Sequence, residues 1–185
     1  NLVKALGAEN FLYFETTVEP QYMGAQWIDY SPIAKSAYTE WAESWENPNP
    51  FPETFPVSAE FTSATSWNIF RAQSLAQWIN GDSKALRAGA AEEHRLWLAA
   101  DYLDAEEHTM RQRCGDPIEL LRNMSETDIV QVNWAWCNIR RATNTKAYDR
   151  IKEVMEETGR DWVVTEHMTI NGADYFEKEM EALLE

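Results

Sequence analysis

A chain of 185 residues is long enough for one domain with a sizeable core, and 44% hydrophobic with 12% aromatic side chains excludes an intrinsically disordered chain. The formal net charge of −15 gives a surface that repels nucleic-acid phosphates. No apolar run approaches the roughly 18 residues that a membrane-spanning helix needs, so neither nucleic acid nor a membrane is an expected partner.

The first residues, NLVKALGAENF, lack the apolar segment of a signal peptide and no Met opens them, which suggests a trimmed or processed form. Leu2, Val3 and Leu6 fit one short helical face closed by Gly7. Phe11, Leu12, Tyr13 and Phe14 form a continuous apolar run, suited to a buried strand or to an arm laid on the body. Glu15–Gly24 is β-branched and broken by Pro20, which predicts extended chain. Ser31-Pro32 is a helix start, with Ser as N-cap and Pro at the first helical position. Ala34, Ala37, Tyr38, Trp41 and Trp45 then mark one face of a helix running to about Trp45; core packing is its plainer interpretation, a ligand platform the sharper one.

Asn47–Pro56 holds four prolines and cannot be helical, so it predicts a stiff connector. Its Phe51 and Phe55 suggest that it lies against the body. Ser58 is placed to cap a central helix that ends at Asn80-Gly81.

The next stretch, Asp82–Gly115, reads as one long helix of roughly 30 residues and about 45 Å. Its apolar stripe is Leu86, Ala90, Trp97, Ala100 and Leu103, and Ser83 or Asp82 stands ready as N-cap. His94, Asp101 and His108 fall near one face of that helix, but seven residues span about 10 Å of rise, too far for one ion. Asp104 and His108, one turn apart, could share a metal, with Asp101 a turn away on the same side. The plainer interpretation of His108 is a solvated histidine among carboxylates.

Asp116-Pro117 opens a short helix to about Asn123. Ser125–Asp128 resembles a capping box in front of a helix over roughly 126–142. Lys146–Thr158 reads as a helix closed by Gly159. For the tail, a hairpin and a helix–turn–helix both fit; the helical spacing of Tyr175, Phe176, Met180 and Leu183 favours the second.

These elements predict an all-α fold: a bundle of about five to seven helices with an extended aromatic N-terminal arm and a Pro-rich connector. Residues 1–57 form the arm, one helix and the connector; residues 58–185 form the body, within one domain overall. The Glu-x-x-His pattern of dinuclear carboxylate bundles fails at each histidine, since Ala91, Ala105 and Val164 stand three residues before them. No nucleophile elbow, phosphate loop, HExxH or CxxC is present. Cys114 and Cys137 make no disulfide framework and point to a cytoplasmic or other reducing compartment.

The expectation is a non-catalytic, acidic interaction or assembly subunit: an inhibitor or immunity-type factor, an adaptor or a structural component. It would meet a protein partner or a second copy through Phe11, Tyr13, Phe14, Phe51 and Phe55. The alternative is a helical carboxylate/His metalloprotein or oxidase-like subunit, with a divalent metal at Asp101, Asp104 and His108. No organic cofactor is expected.

Overall fold

A computed structural model of the chain describes residues 14–17, 31–51, 65–89, 98–103, 115–133 and 145–165. Four helices and four strands lie among them: β1 (Phe14–Thr17), α1 (Pro32–Ala42), α2 (Thr65–Gly89), β2 (Leu98–Leu103), α3 (Pro117–Asn123), β3 (Ile129–Asn133), α4 (Thr145–Thr158) and β4 (Asp161–Thr165).

Local chemistry sets several boundaries where the sequence predicts them. Ser31 has extended backbone (φ −60, ψ 154), and its hydroxyl accepts from Ala34 N at 3.1 Å ahead of Pro32. Asp116 does the same for α3, accepting from Ile118 N and Glu119 N, both at 3.0 Å, ahead of Pro117. Gly159, with φ 64, ends α4 in the left-handed conformation.

The described residues are mostly helical, as the sequence leads one to expect. The helices nevertheless pack on a sheet that the expected bundle does not contain. Residues 98–103 lie in β2 rather than in a helix over 82–115, and residues 129–133 lie in β3 rather than in a helix over 126–142. Residues 161–165 are β4, whereas helical spacing was the preferred interpretation of the tail. The cause is non-local. LAADYL is rich in helix formers, but β2 is flanked by β1 and β3, and pairing on both sides overrides propensity. In β3, Ile129, Val130 and Val132 are β-branched, which suits a pleated strand at least as well as the helix.

The expected break at Asn80-Gly81 is also absent: α2 runs through it to Gly89. Asn80 is committed elsewhere. Its Nδ2 donates to Asn123 O at 2.7 Å and its Oδ1 accepts from Glu126 N at 3.0 Å, so it bridges the turn between α3 and β3. Ser83 is not an N-cap but a fully buried residue inside the helix. Asn68, Ala72, Leu75, Ala76, Ile79 and Ser83 make one buried stripe along α2, and that packing outweighs the cost, about 1 kcal/mol, of a mid-helix glycine. Asn80→Ala is expected to cost about 1–2 kcal/mol in urea unfolding, because it strands the Glu126 N–H and the Asn123 carbonyl together.

All three strand pairs are parallel and the order across the sheet is β1-β2-β3-β4. Each crossover contains at least one helix: α1 and α2, then α3, then α4. Every step moves in the same direction, so the strong preference for right-handed crossovers places all the connecting helices on one face. The packing of α2 on α3 and of α3 on α4 agrees with one helical layer. The core of that layer is built from Leu75, Ala76 and Ile79 of α2, Leu120 and Leu121 of α3, Met124, and Val154 and Met155 of α4, with Val130 of β3 fully buried.

The N-terminal helix is held by an aromatic cluster. Tyr38 packs edge-on to Trp67 at 5.1 Å and to Phe70 at 5.4 Å, and Phe51 meets Trp67 edge-on at 5.0 Å. The connector therefore lies against the body at Phe51, as its aromatics predict.

Candidate functional site

Strand alternation divides the sheet residues between two faces. The register aligns Ala99 with Ile129 and Asp161, Asp101 with Gln131 and Val163, and Leu103 with Asn133 and Thr165. Glu15 of β1 is level with Ala99, and an irregularity between Glu15 and Thr17 sets Thr17 level with Ala100. Leu98, Ala100, Tyr102, Val130, Val132, Trp162 and Val164 thus share one apolar face, which matches a side covered by helices. The other face mixes Glu15, Asp101, Gln131, Asn133, Asp161 and Thr165 with Ala99, Leu103, Ile129 and Val163. Asp101, Asn133 and Thr165 lie toward the carboxyl ends of their strands, and Gln131 is the middle residue of β3.

Gln131 is the informative member. It is only 5% exposed, and its Nε2 is buried with no hydrogen-bond acceptor among the described residues. An unmade bond of that kind costs about 1–3 kcal/mol. Gln131 shares this property with Trp67 Nε1, Ser83 Oγ and Thr127 Oγ1, whereas Asn80 bridges its turn and Arg160 donates to Met124 O at 2.8 Å, to Leu121 O and to Thr158 Oγ1. Gln131 stands level with Asp101 on the neighbouring strand, about 4.8 Å away as parallel strands are spaced.

Asp101, expected on a helical face with Asp104 and His108, lies instead in β2. The one-turn and seven-residue spacings that aligned the three do not apply to a strand, whose period is two residues. Asp104 and His108 lie outside the described residues. Among the described residues no group of three or more His, Cys, Asp or Glu is placed to hold a metal ion. Of the expected interaction residues, Phe14 opens β1 and Phe51 packs in the aromatic cluster; Phe11, Tyr13 and Phe55 lie outside the described residues.

On the aromatic face of α1 Tyr38 is buried, at 2% exposed, Trp41 is half-buried, and Ala37 and Trp45 are exposed. The Tyr38 hydroxyl donates to Asn49 O at 2.6 Å and lies 2.8 Å from Ser66 Oγ. Burial raises the pKa of this phenol above its ordinary value, opposed by the bond to Ser66. The neutral form is the one that fits, so the stabilisation is complete below the unfolded pKa of about 10 and is lost as pH rises through the higher folded value. Alkaline unfolding of Tyr38→Phe is expected to show a smaller loss of stability above pH 10 than the unaltered chain, measured by circular dichroism.

Gln131 and Asn133 were missed from sequence. The signal is the alternation in IVQVN, where polar residues interleave with Val130 and Val132, but Ile129, Val132, Trp136 and Ile139 also fit a helical period.

Comparisons with protein-family models, with curated proteins and with solved structures find no match. What the fold defines is a helix-rich chain carried on a parallel sheet wound in one direction. What the site defines is a sheet face of mixed polarity with, at the middle of β3, a buried amide that has no partner among the described residues.

Proposed function

We propose that this chain binds a small polar ligand at the carboxyl ends of its parallel strands, as a module of the kind that carries enzyme active sites. What supports this is the parallel sheet wound in one direction, with Asp101, Gln131, Asn133 and Thr165 at register positions on the face away from the helices. In parallel sheets the strand-to-helix loops collect at the carboxyl ends of the strands, where closed barrels bind their ligands. Gln131 adds a buried amide, without a partner among the described residues, in the middle of β3.

A second function, that of a non-catalytic interaction or assembly subunit, has its own support. Trp78 is 54% exposed and Ile33 is 81% exposed, and the chain carries a net charge of −15 that suits a basic partner. None of the described helices is long and apolar enough to cross a membrane. The metalloprotein alternative retains Asp101 as a candidate ligand on β2.

Hydrogen exchange followed by mass spectrometry separates the first two. A metabolite mixture is expected to slow exchange at residues 101–103, 131–133 and 163–165. Protection confined to α1 and the Trp78 stretch of α2, and only on mixing with basic proteins, would replace ligand binding by the interaction role.

A further inference from the structure

An exposed tryptophan at the carboxyl end of α1 is set among carboxylates that the helix itself disfavours. We infer that Trp45, Glu40 and Glu43 form a docking surface for an arginine-bearing, basic segment of a protein partner. The inference rests on the interaction role given second above, and it names the surface and the chemistry that surface takes.

The carboxyl end of a helix is the negative end of its dipole and favours cations. The last turn of α1 holds no basic residue. Glu40 lies there instead, Glu43 is the C-cap and Glu46 follows, all three exposed. The chain closes with three-residue bonds: Glu43 N donates to Glu40 O at 3.3 Å, Ser44 N to Trp41 O at 3.3 Å and Trp45 N to Ala42 O at 3.0 Å. Side chains three apart in such a turn lie over one another, so Glu40 and Glu43 stand as like charges on one side. Lys35 is the only basic residue between positions 31 and 51, and its ammonium lies over the Phe51 ring at 5.9 Å. Among the described residues none of the three carboxylates has an ion-pair partner.

A fixed aromatic ring adjoins these charges. Trp45 stacks on Trp41, with centroids 4.8 Å apart and planes 28° apart. Trp41 is anchored to α2: its Nε1 donates to Gln73 Oε1 at 2.9 Å, and its ring meets Phe70 at 5.6 Å. The stack is thus held from below while Trp45 stays 38% exposed.

A guanidinium fits both halves of this surface. It is planar, stacks on an indole and forks to carboxylates, whereas the compact ammonium of lysine offers only its charge. An anion would meet three carboxylates on a chain of net charge −15. A metal ion is a poor occupant, since no group of three or more His, Cys, Asp or Glu among the described residues is placed to hold one. Tryptophan and arginine are also the side chains that most often dominate binding between proteins.

The same charges separate stability from binding. Carboxylates kept for the fold would lower the melting temperature when neutralised. Glu40 and Glu43 oppose both the dipole and each other, so neutralising them leaves the free protein unchanged or more stable.

The test uses the whole chain with hexa-arginine and hexalysine peptides as probes at physiological ionic strength. Binding is read by calorimetry and melting by scanning fluorimetry. Hexa-arginine is expected to bind, and more tightly than hexalysine. Glu40→Gln combined with Glu43→Gln is expected to weaken it about fivefold or more with no fall in the melting temperature of the free protein. Trp45→Ala is expected to weaken it by about as much. Glu153→Gln combined with Glu156→Gln removes the same charge from the exposed side of α4 and is expected to change binding less than about twofold. Should Trp45→Ala fail to fold, the indole N–H signal of Trp45 in the unaltered chain decides, since it must shift on titration with hexa-arginine. Equal weakening by the two double variants would mean that the peptide follows net charge alone, which overturns this surface while leaving a basic partner in place. Hexalysine binding as tightly as hexa-arginine would overturn the stacking on Trp45, and a lower melting temperature in the Glu40 and Glu43 variant would assign those carboxylates to the fold. Absence of binding by either peptide would remove the surface and the basic partner together.

Discussion

Gly115→Ala is expected to destabilise the protein by about 3 kcal/mol or more, the larger of the two greatest effects. Gly115 is buried and has φ 86, a conformation in which an alanine loses roughly 1–2 kcal/mol. Space makes the substitution worse. A Cβ built there would collide with Asn68 O, stand 2.8 Å from Ala72 N and stand 3.1 Å from Arg71 Cβ, and the first two are backbone atoms of α2 that cannot swing aside. Next to it, Asp116 N donates to Asn68 O at 3.0 Å, and Asp116 is the residue that caps α3. The glycine is therefore the point where the chain entering α3 lies against the side of α2. Forcing the two apart loosens the packing of α2 on α3 beneath the sheet, and overpacking of this kind costs a further 1–3 kcal/mol or so. Urea denaturation of the purified variant measures the loss; a change under about 1 kcal/mol would mean that α3 does not approach α2 there.

Arg160→Met is the second, with an expected cost of about 2–4 kcal/mol. Arg160 follows the left-handed Gly159 and turns its guanidinium back onto the end of α3, where Leu121 and Met124 present carbonyls that the helix cannot use. Burial pushes the guanidinium down to about 10, so it stays charged at neutral pH and strengthens the bonds it makes. Methionine fills much of the volume but leaves those carbonyls without their donor, at about 1–3 kcal/mol for each buried group. Arg160→Lys is expected to recover less than half of the loss, because one ammonium cannot reproduce a fork aimed at two carbonyls. Thermal unfolding of the pair of variants checks both; equal stability of Arg160→Met and the unaltered chain would mean that water serves the α3 terminus.

Helix ends were readable from sequence because capping is local. Ser31-Pro32, Asp116-Pro117 and Gly159 each declare themselves within a few residues, and each stands where expected. The aromatic packing of Tyr38 and Phe51 was readable for a related reason, since large side chains at helical spacing have one economical use. The sheet was not readable. β2 consists of Leu, Ala, Asp and Tyr in an order that also fits a helix, and only its neighbours at residues 14–17 and 129–133 decide otherwise. Asn80-Gly81 misled for the same reason: the asparagine is held by residues 123–126, more than forty positions away.

The site suffered from that error directly. Once residues 98–103 are assigned to a helix, Asp101 aligns with Asp104 and His108, and the row it shares with Gln131 cannot be seen. Asp101 lies in β2, whose two-residue period does not carry the one-turn spacing that a helix there would give.

The most direct measurement is amide chemical-shift mapping of the isotopically labelled chain against a chemically diverse fragment set, because fragments find a built site whatever its natural ligand. The shifts are expected to concentrate at residues 101–103, 131–133 and 163–165, at the carboxyl ends of β2, β3 and β4. Shifts confined to the surroundings of Trp45 and Trp78, with those three strand ends silent, would contradict a ligand site on the sheet and leave the interaction surface as the functional part of the molecule.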